Sequence, residues 1–156
     1  MHQGGGASFD ELQFQKIKTD GEVFYKSLGS VFSAYFNEHV FFTSEGLAHL
    51  KFKKKFVARL HEDQKVRFQL LKFVPEVLKL SRTIQDVCET KSFERIQINS
   101  RNEFRLVNVT FYEFIAVLHG WRIKVIVKQI ENNKKIFWSV IPFWGKASSA
   151  QTTEWQ

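Results

Sequence analysis

The chain has 156 residues, 44% of them apolar, which suits one domain with a core that needs no disulfide or metal staples. It carries 23 Lys and Arg against 16 Asp and Glu, a net charge of +7, which favours a polyanion such as nucleic acid as partner over a merely soluble basic surface. The single cysteine, Cys88, excludes an internal disulfide and a Cys-rich zinc site, and it fits a reducing, cytoplasmic setting.

Residues 1–8 (MHQGGGAS) and 145–156 read as flexible tails around one α+β domain spanning 9–144. The leader lacks the basic-then-apolar order of a secretory signal, and no run approaches the ~18 apolar residues of a membrane span. A short helix near 9–18 and a second amphipathic stretch near 22–36 come first. Residues 39–43 (HVFFT) are an apolar run of the kind found in a buried strand. Ser44 is a candidate N-cap, with Glu45 in the first turn of a helix over about 45–60. Leu47, Leu50, Phe52 and Phe56 are its apolar members, interleaved with Lys51, Lys53, Lys54, Lys55 and Arg59.

A second helix opens at Asp63, where Val66, Leu70, Phe73 and Val77 keep the spacing of a buried stripe. Pro75 either kinks it or restarts it, and the helical region ends near 81–83. Strands follow at 93–98, 104–118 (bent near 108–110), 121–130 and 135–143. Two-residue turns fall at His119 with Gly120 and at Asn132 with Asn133. The expected fold is α+β: N-terminal helices and a short strand, then two helices packed on one face of a three- to four-stranded antiparallel meander.

Two-residue turns fix a register, and the register assigns faces. One face collects Tyr112, Phe114, Ala116, Leu118, Trp121, Ile123, Val125, Val127, Trp138 and Val140, and belongs against the helices. The other carries Glu113, Arg122, Lys124, Lys128 and Ser139 among apolar neighbours. Glu113, Ile126 and Ser139 form one row, so Glu113 and Ser139 stand about 10 Å apart, room for a phosphate with solvent. A carboxylate ringed by cations suits metal-independent RNA cleavage. Such cleavage needs a base for the 2′-hydroxyl proton, an acid for the leaving oxygen and fixed positive charge at phosphorus. Glu113 is the candidate base, Arg105, Arg122 and Lys124 supply charge, and His49 or His61 is the candidate acid. The alternative is an ordinary cross-strand Glu113–Lys124 ion pair.

His49 and Lys53 lie four apart, and residues 51–55 are the densest basic patch, a phosphate-steering surface or simply a solvated helix face. Lys51, Lys53, Lys54, Lys55, Arg59, Arg122, Lys124 and Lys128 are the candidate nucleic-acid contacts. No P-loop, G-x-G-x-x-G, H-E-x-x-H or G-x-S-x-G motif occurs, so nucleotide-cofactor, zinc-hydrolase and serine-hydrolase chemistry find no support, and no cofactor is expected.

The order strand, two helices, antiparallel meander resembles the Barnase–EndoU–Colicin–RelE superfamily of metal-independent RNases. It is carried by VFFTSEGLAHLKFK (40–53), VRFQLLKFVPEVLK (66–79) and FIAVLHGWRIKVIVKQIENNKKIFWSVIPFW (114–144), which look like the phage- and mobile-element-associated branch. That resemblance spans about 30–144 and implies an RNA-cleaving toxin or effector with RNA as partner, together with an antitoxin or immunity protein. It marks His49 and Ser139 as site residues and Arg105 as a phosphate-contacting cation; the second histidine that some relatives place after the first is missing. The competing expectations are a non-catalytic nucleic-acid-binding module and a protein-interaction domain on the same fold.

Overall fold

The computed structural model describes residues 8–143, so the expected tails lie almost wholly outside the described residues. Helix α1 (Phe9–Leu28) starts where Ser8 accepts a hydrogen bond from the Glu11 amide, with Asp10 and Glu11 at the positive end of the helix dipole and Lys26 at the negative end. It is one helix where two shorter segments are expected. Gly29, at φ 60°, ends it and turns the chain into the hairpin β1 (Ser30–Ser33) and β2 (Glu38–Phe41). The expected amphipathic stretch over 22–36 is thus half helix and half hairpin.

Helix α2 (Ser44–Lys51) has Thr43 rather than Ser44 at its N-cap position, without a side-chain capping bond, and it spans only eight residues. The basic run that follows is not helical. Phe52–Lys54 (β3) and Val57–Ala58 (β4) form a two-stranded hairpin of their own. Helix α3 (His61–Leu70) comes next, then the 3-10 turn Leu71–Phe73 and helix α4 (Val74–Leu80). Pro75 therefore restarts a helix, at a first-turn position where its missing N–H costs nothing.

Strands β5 (Asp86–Ile98), β6 (Arg101–Leu118), β7 (Trp121–Ile130) and β8 (Lys135–Pro142) are consecutive and antiparallel. Asn99 with Ser100, and His119 with Gly120, make two-residue turns with positive φ at both positions, the geometry that matches strand twist. The sheet is larger than expected. Its order is β1-β2-β8-β7-β6-β5, six strands with β2 parallel to β8, so the wholly antiparallel three- to four-stranded sheet is corrected to a mixed one. Strand β5 begins seven residues earlier than the expected 93–98 strand, and β6 pairs through 108–110 without a register shift.

The face toward the helices holds Phe114, Ile123, Val125, Val127, Phe137 and Val140, packed on Tyr25, Leu50, Phe68, Leu71, Val74 and Leu78. Burial of each such side chain contributes about 1.5–3 kcal/mol. Helices α2 and α3 lie on β8, and α4 lies on β1. Among the described residues, no helix is long and apolar enough to cross a membrane.

Gly46 is what lets α2 sit so close to the sheet, since a methyl group there would collide with the Phe137 carbonyl oxygen and the Tyr25 hydroxyl. Replacing Gly46 by Ala should lower stability by about 1–3 kcal/mol in urea titrations. An unchanged midpoint and slope would show that α2 does not rest on β8 at that distance.

Candidate nucleic-acid interface

The second face of the sheet is covered by the chain's own hairpin. Lys128 pairs with Phe111 across β6 and β7, whereas Glu94 pairs with Arg105, six residues away along β6. In a flat sheet that offset is about 20 Å. Lys128 Nζ nevertheless lies 2.8 Å from Glu94 Oε1, so the β5–β6 hairpin coils over the face. Under it Val107, Val109, Phe111 and Ile126 form a second small core, with Ile96 and Trp138 packed against them.

Trp138 reaches this face through a bulge. Val127 pairs with Phe137 and Ile126 with Ser139, so Trp138 is an extra residue in β8. The expected register has Trp138 on the helix side. The correction has a simple cause: the loop after β7 leads into Gln129↔Lys135 pairing, one residue out of step with a two-residue turn, and the bulge restores step at Ser139. Phe137 takes the core position in Trp138's stead, and Trp121 is exposed rather than buried.

Beside Trp138 opens a cleft of about 680 Å³, lined by His49, Phe52, Lys53, Lys54, Lys55, Phe56, Glu94 and Lys128, among others. His49 stacks on the indole, ring centroids 4.3 Å apart, and the Lys128 ammonium stands 4.1 Å from the indole centroid. The buried indole Nε1–H finds no acceptor among the described residues. Lys53, Lys54 and Lys55 are exposed on the β3–β4 hairpin at the mouth. His49 and Lys53 do meet at one cleft, but as a helix residue and a hairpin residue rather than as neighbours on one helical face.

His49 is held by Arg59, whose Nε donates to the His49 carbonyl oxygen at 2.9 Å and whose Nη2 meets the ring Nε2 at 3.1 Å. Arginine only donates, so Nε2 accepts and the proton of the neutral ring sits on Nδ1. Burial, and then the charges of Arg59, Arg67 and Lys128, push the His49 pKa from 6.5 to about 3. An imidazolium acid at neutral pH is therefore not what this ring supplies. Asp63 joins the two arginines, accepting from Arg67 Nε at 2.7 Å and facing Arg59 Nη1 at 3.5 Å.

Of the four candidate catalytic residues, His49 alone lines the cleft. Arg105 is exposed on the coiled hairpin, opposite Glu94. Glu113 does share a row with Ile126 and Ser139, but it is buried in an ion pair with Lys124 at 2.9 Å. Removing one member of such a pair costs about 3–5 kcal/mol, so substitution there reads stability. Ser139 is fully buried, and its hydroxyl accepts from Arg67 Nη1. Among the other expected contacts, Lys51 pairs with Glu22 at 3.2 Å, Arg59 is buried against His49, and Arg122 is exposed beside the Phe143 ring. Glu94 is the cleft residue that the sequence pattern did not single out. The nearest signal was its alternation with Ile96 on one face of a strand that starts earlier than its β-prone residues suggest. Among the described residues, no three His, Cys, Asp or Glu side chains converge as a metal site would require.

The lowered pKa has a sign. The unfolded chain binds the His49 proton more readily than the folded one, so the neutral ring's contribution is complete above pH ~6.5 and drains away as pH falls from there toward 3. Unfolding free energies of wild type and His49→Gln should diverge on the acid side by about 1.4 kcal/mol per pH unit between pH ~6 and ~4, the wild type losing more. Ring NMR signals of His49 titrating with a midpoint near 6.5 would contradict this.

No family model, no curated protein and no solved structure matches the chain.

Proposed function

We propose that this chain is a metal-independent, RNA-cleaving domain of toxin or effector type that takes single-stranded RNA into the cleft between the β3–β4 hairpin and the coiled β5–β6 hairpin. The observation that carries this reading is the cleft itself, where a carboxylate, Glu94, is held 2.8 Å from Lys128 beneath three exposed lysines and beside stacked rings. Exposed cations track phosphates, and the exposed rings of Phe52 and Phe56 at the cleft can accept unpaired bases. Glu94 takes the role that the sequence assigns to Glu113. Its carboxylate accepts the 2′-hydroxyl proton while the 2′-oxygen bonds to phosphorus. The bond from phosphorus to the 5′-oxygen breaks, and that oxygen receives a proton from an ammonium group among Lys53, Lys54 and Lys55. Lys128 faces the charge that builds on the non-bridging oxygens. His49 orients Trp138 and the Arg59 latch rather than exchanging protons.

A non-catalytic RNA-binding module is the second reading, favoured by one observation: the ring lone pair that acid–base work by His49 would need is occupied by Arg59. The two readings part in one assay series. Cleavage of single-stranded RNA should persist in excess EDTA and leave a 2′,3′-cyclic phosphate. Glu94→Gln, shown folded by urea titration, should lose about 10²–10⁴-fold in rate. Replacing Lys53, Lys54 and Lys55 by Ala should flatten the salt dependence of binding, by about one unit of slope for each lost phosphate contact. Salt-sensitive binding with no cleavage by wild type would select the second reading, and salt-insensitive binding would oppose both.

A further inference from the structure

The tip of the β3–β4 hairpin combines two features that ordinary folding does not reward. Lys54 pairs with Val57, leaving Lys55 and Phe56 as a two-residue loop, and Phe56 sits at φ 65°. That left-handed conformation favours Gly or Asn, whereas a bulky residue there is strained. The ring gains no burial in return, since Phe56 is 89% exposed, the most exposed large apolar side chain among the described residues. Strain of this kind persists where something other than folding stability uses the side chain.

What the ring faces narrows its use. Phe56 lines the mouth of the same cleft as His49 and Lys128, and Lys53, Lys54 and Lys55 precede it directly. Lys55 Nζ stands 5.2 Å from the ring centroid, so cation and ring are offered together. A flat apolar surface bordered by ammonium groups matches one nucleotide unit, with the base on the ring and the phosphates on the lysines. A lipid surface fits less well, because the ring stands on the wall of a concave cleft. Trp138 does not serve the purpose, since the His49 ring and the Lys128 ammonium already lie against its indole.

Resting on the proposed RNA-binding reading, we infer that Phe56 is a base-stacking residue that captures one unpaired nucleobase of the RNA at the mouth of the cleft. The loop conformation is the cost of holding the ring there.

The test uses Phe56→Asn and Phe56→Trp in the full chain, with a short fluorescein-labelled 2′-O-methyl oligoadenylate, which lacks the attacking hydroxyl and stays intact. Phe56→Asn should relax the loop and raise the melting temperature by about 2–4 °C. The same variant should bind the oligonucleotide about tenfold or more weakly, the loss of one stacked base, while Phe56→Trp binds like wild type. Gaining stability while losing affinity is the outcome that a merely structural role does not give. Equal binding by wild type and Phe56→Asn would overturn this inference and leave the proposed function standing. No binding of any RNA by folded wild type would overturn both. Loss of binding to phosphatidylserine vesicles in Phe56→Asn, with oligonucleotide binding unchanged, would assign the tip to a membrane surface instead.

Discussion

The structure turns on the extra residue in β8. In a regular strand Phe137 and Val140, three apart, would face opposite sides of the sheet. With Trp138 bulged out, both enter the main core, and β8 can carry α2 and α3 on one side while its indole leaves on the other. The same kink places Ser139 beneath the buried Arg67, so the helix layer is tied to the strand at the point where the pairing slips. Without the bulge, Trp138 would compete for the space that Phe137 fills, and His49 would have no ring to stack on. The cleft is a by-product of satisfying the core with a chain that leaves its last turn one residue out of step.

Charge burial is the second constraint. Arg59 and Arg67 share Asp63, Lys124 is matched to Glu113, and Lys128 to Glu94. Each ammonium or guanidinium is costly to desolvate and is held by a carboxylate at close range, so these cations serve the fold before any ligand. The lysines of the β3–β4 hairpin are different in kind, exposed at the cleft and available for counterion release on a polyanion. A neutral His49 follows from the same arrangement, because three buried cations around a desolvated ring leave no room for a fourth charge.

Much of the frame was legible from residue pattern: the α+β class, the His119–Gly120 turn, a break at Pro75 that the structure resolves as a restart rather than a kink, and the Glu113, Ile126, Ser139 row. Three things were not. The run from Lys51 to Phe56 has helical composition, yet α2 stops because the chain must turn to bring Arg59 back onto His49, a tertiary demand that propensity does not encode. The mostly exposed residues 86–92 look too polar for a strand, but they are held in place by pairing with the long β6. The coil of the β5–β6 hairpin is set by twist accumulated over thirteen paired residues, and that coil alone brings Glu94 to Lys128. Glu94 was invisible for this reason, whereas for Glu113 the alternative reading, a cross-strand ion pair with Lys124, is the one the structure holds.

The central claim is that one cleft, built by the bulge, the neutral histidine and the basic hairpin, receives single-stranded RNA. Amide and indole NMR shifts recorded during titration with a non-cleavable oligoribonucleotide analogue test it most directly. The account predicts perturbations clustered at residues 49–56, Glu94, Lys128 and the Trp138 indole N–H, with β1, α4 and the outer face of β5 around Phe93 unmoved. Perturbations centred on Phe93, Phe104 and Leu106, with the Trp138 indole unchanged, would contradict it.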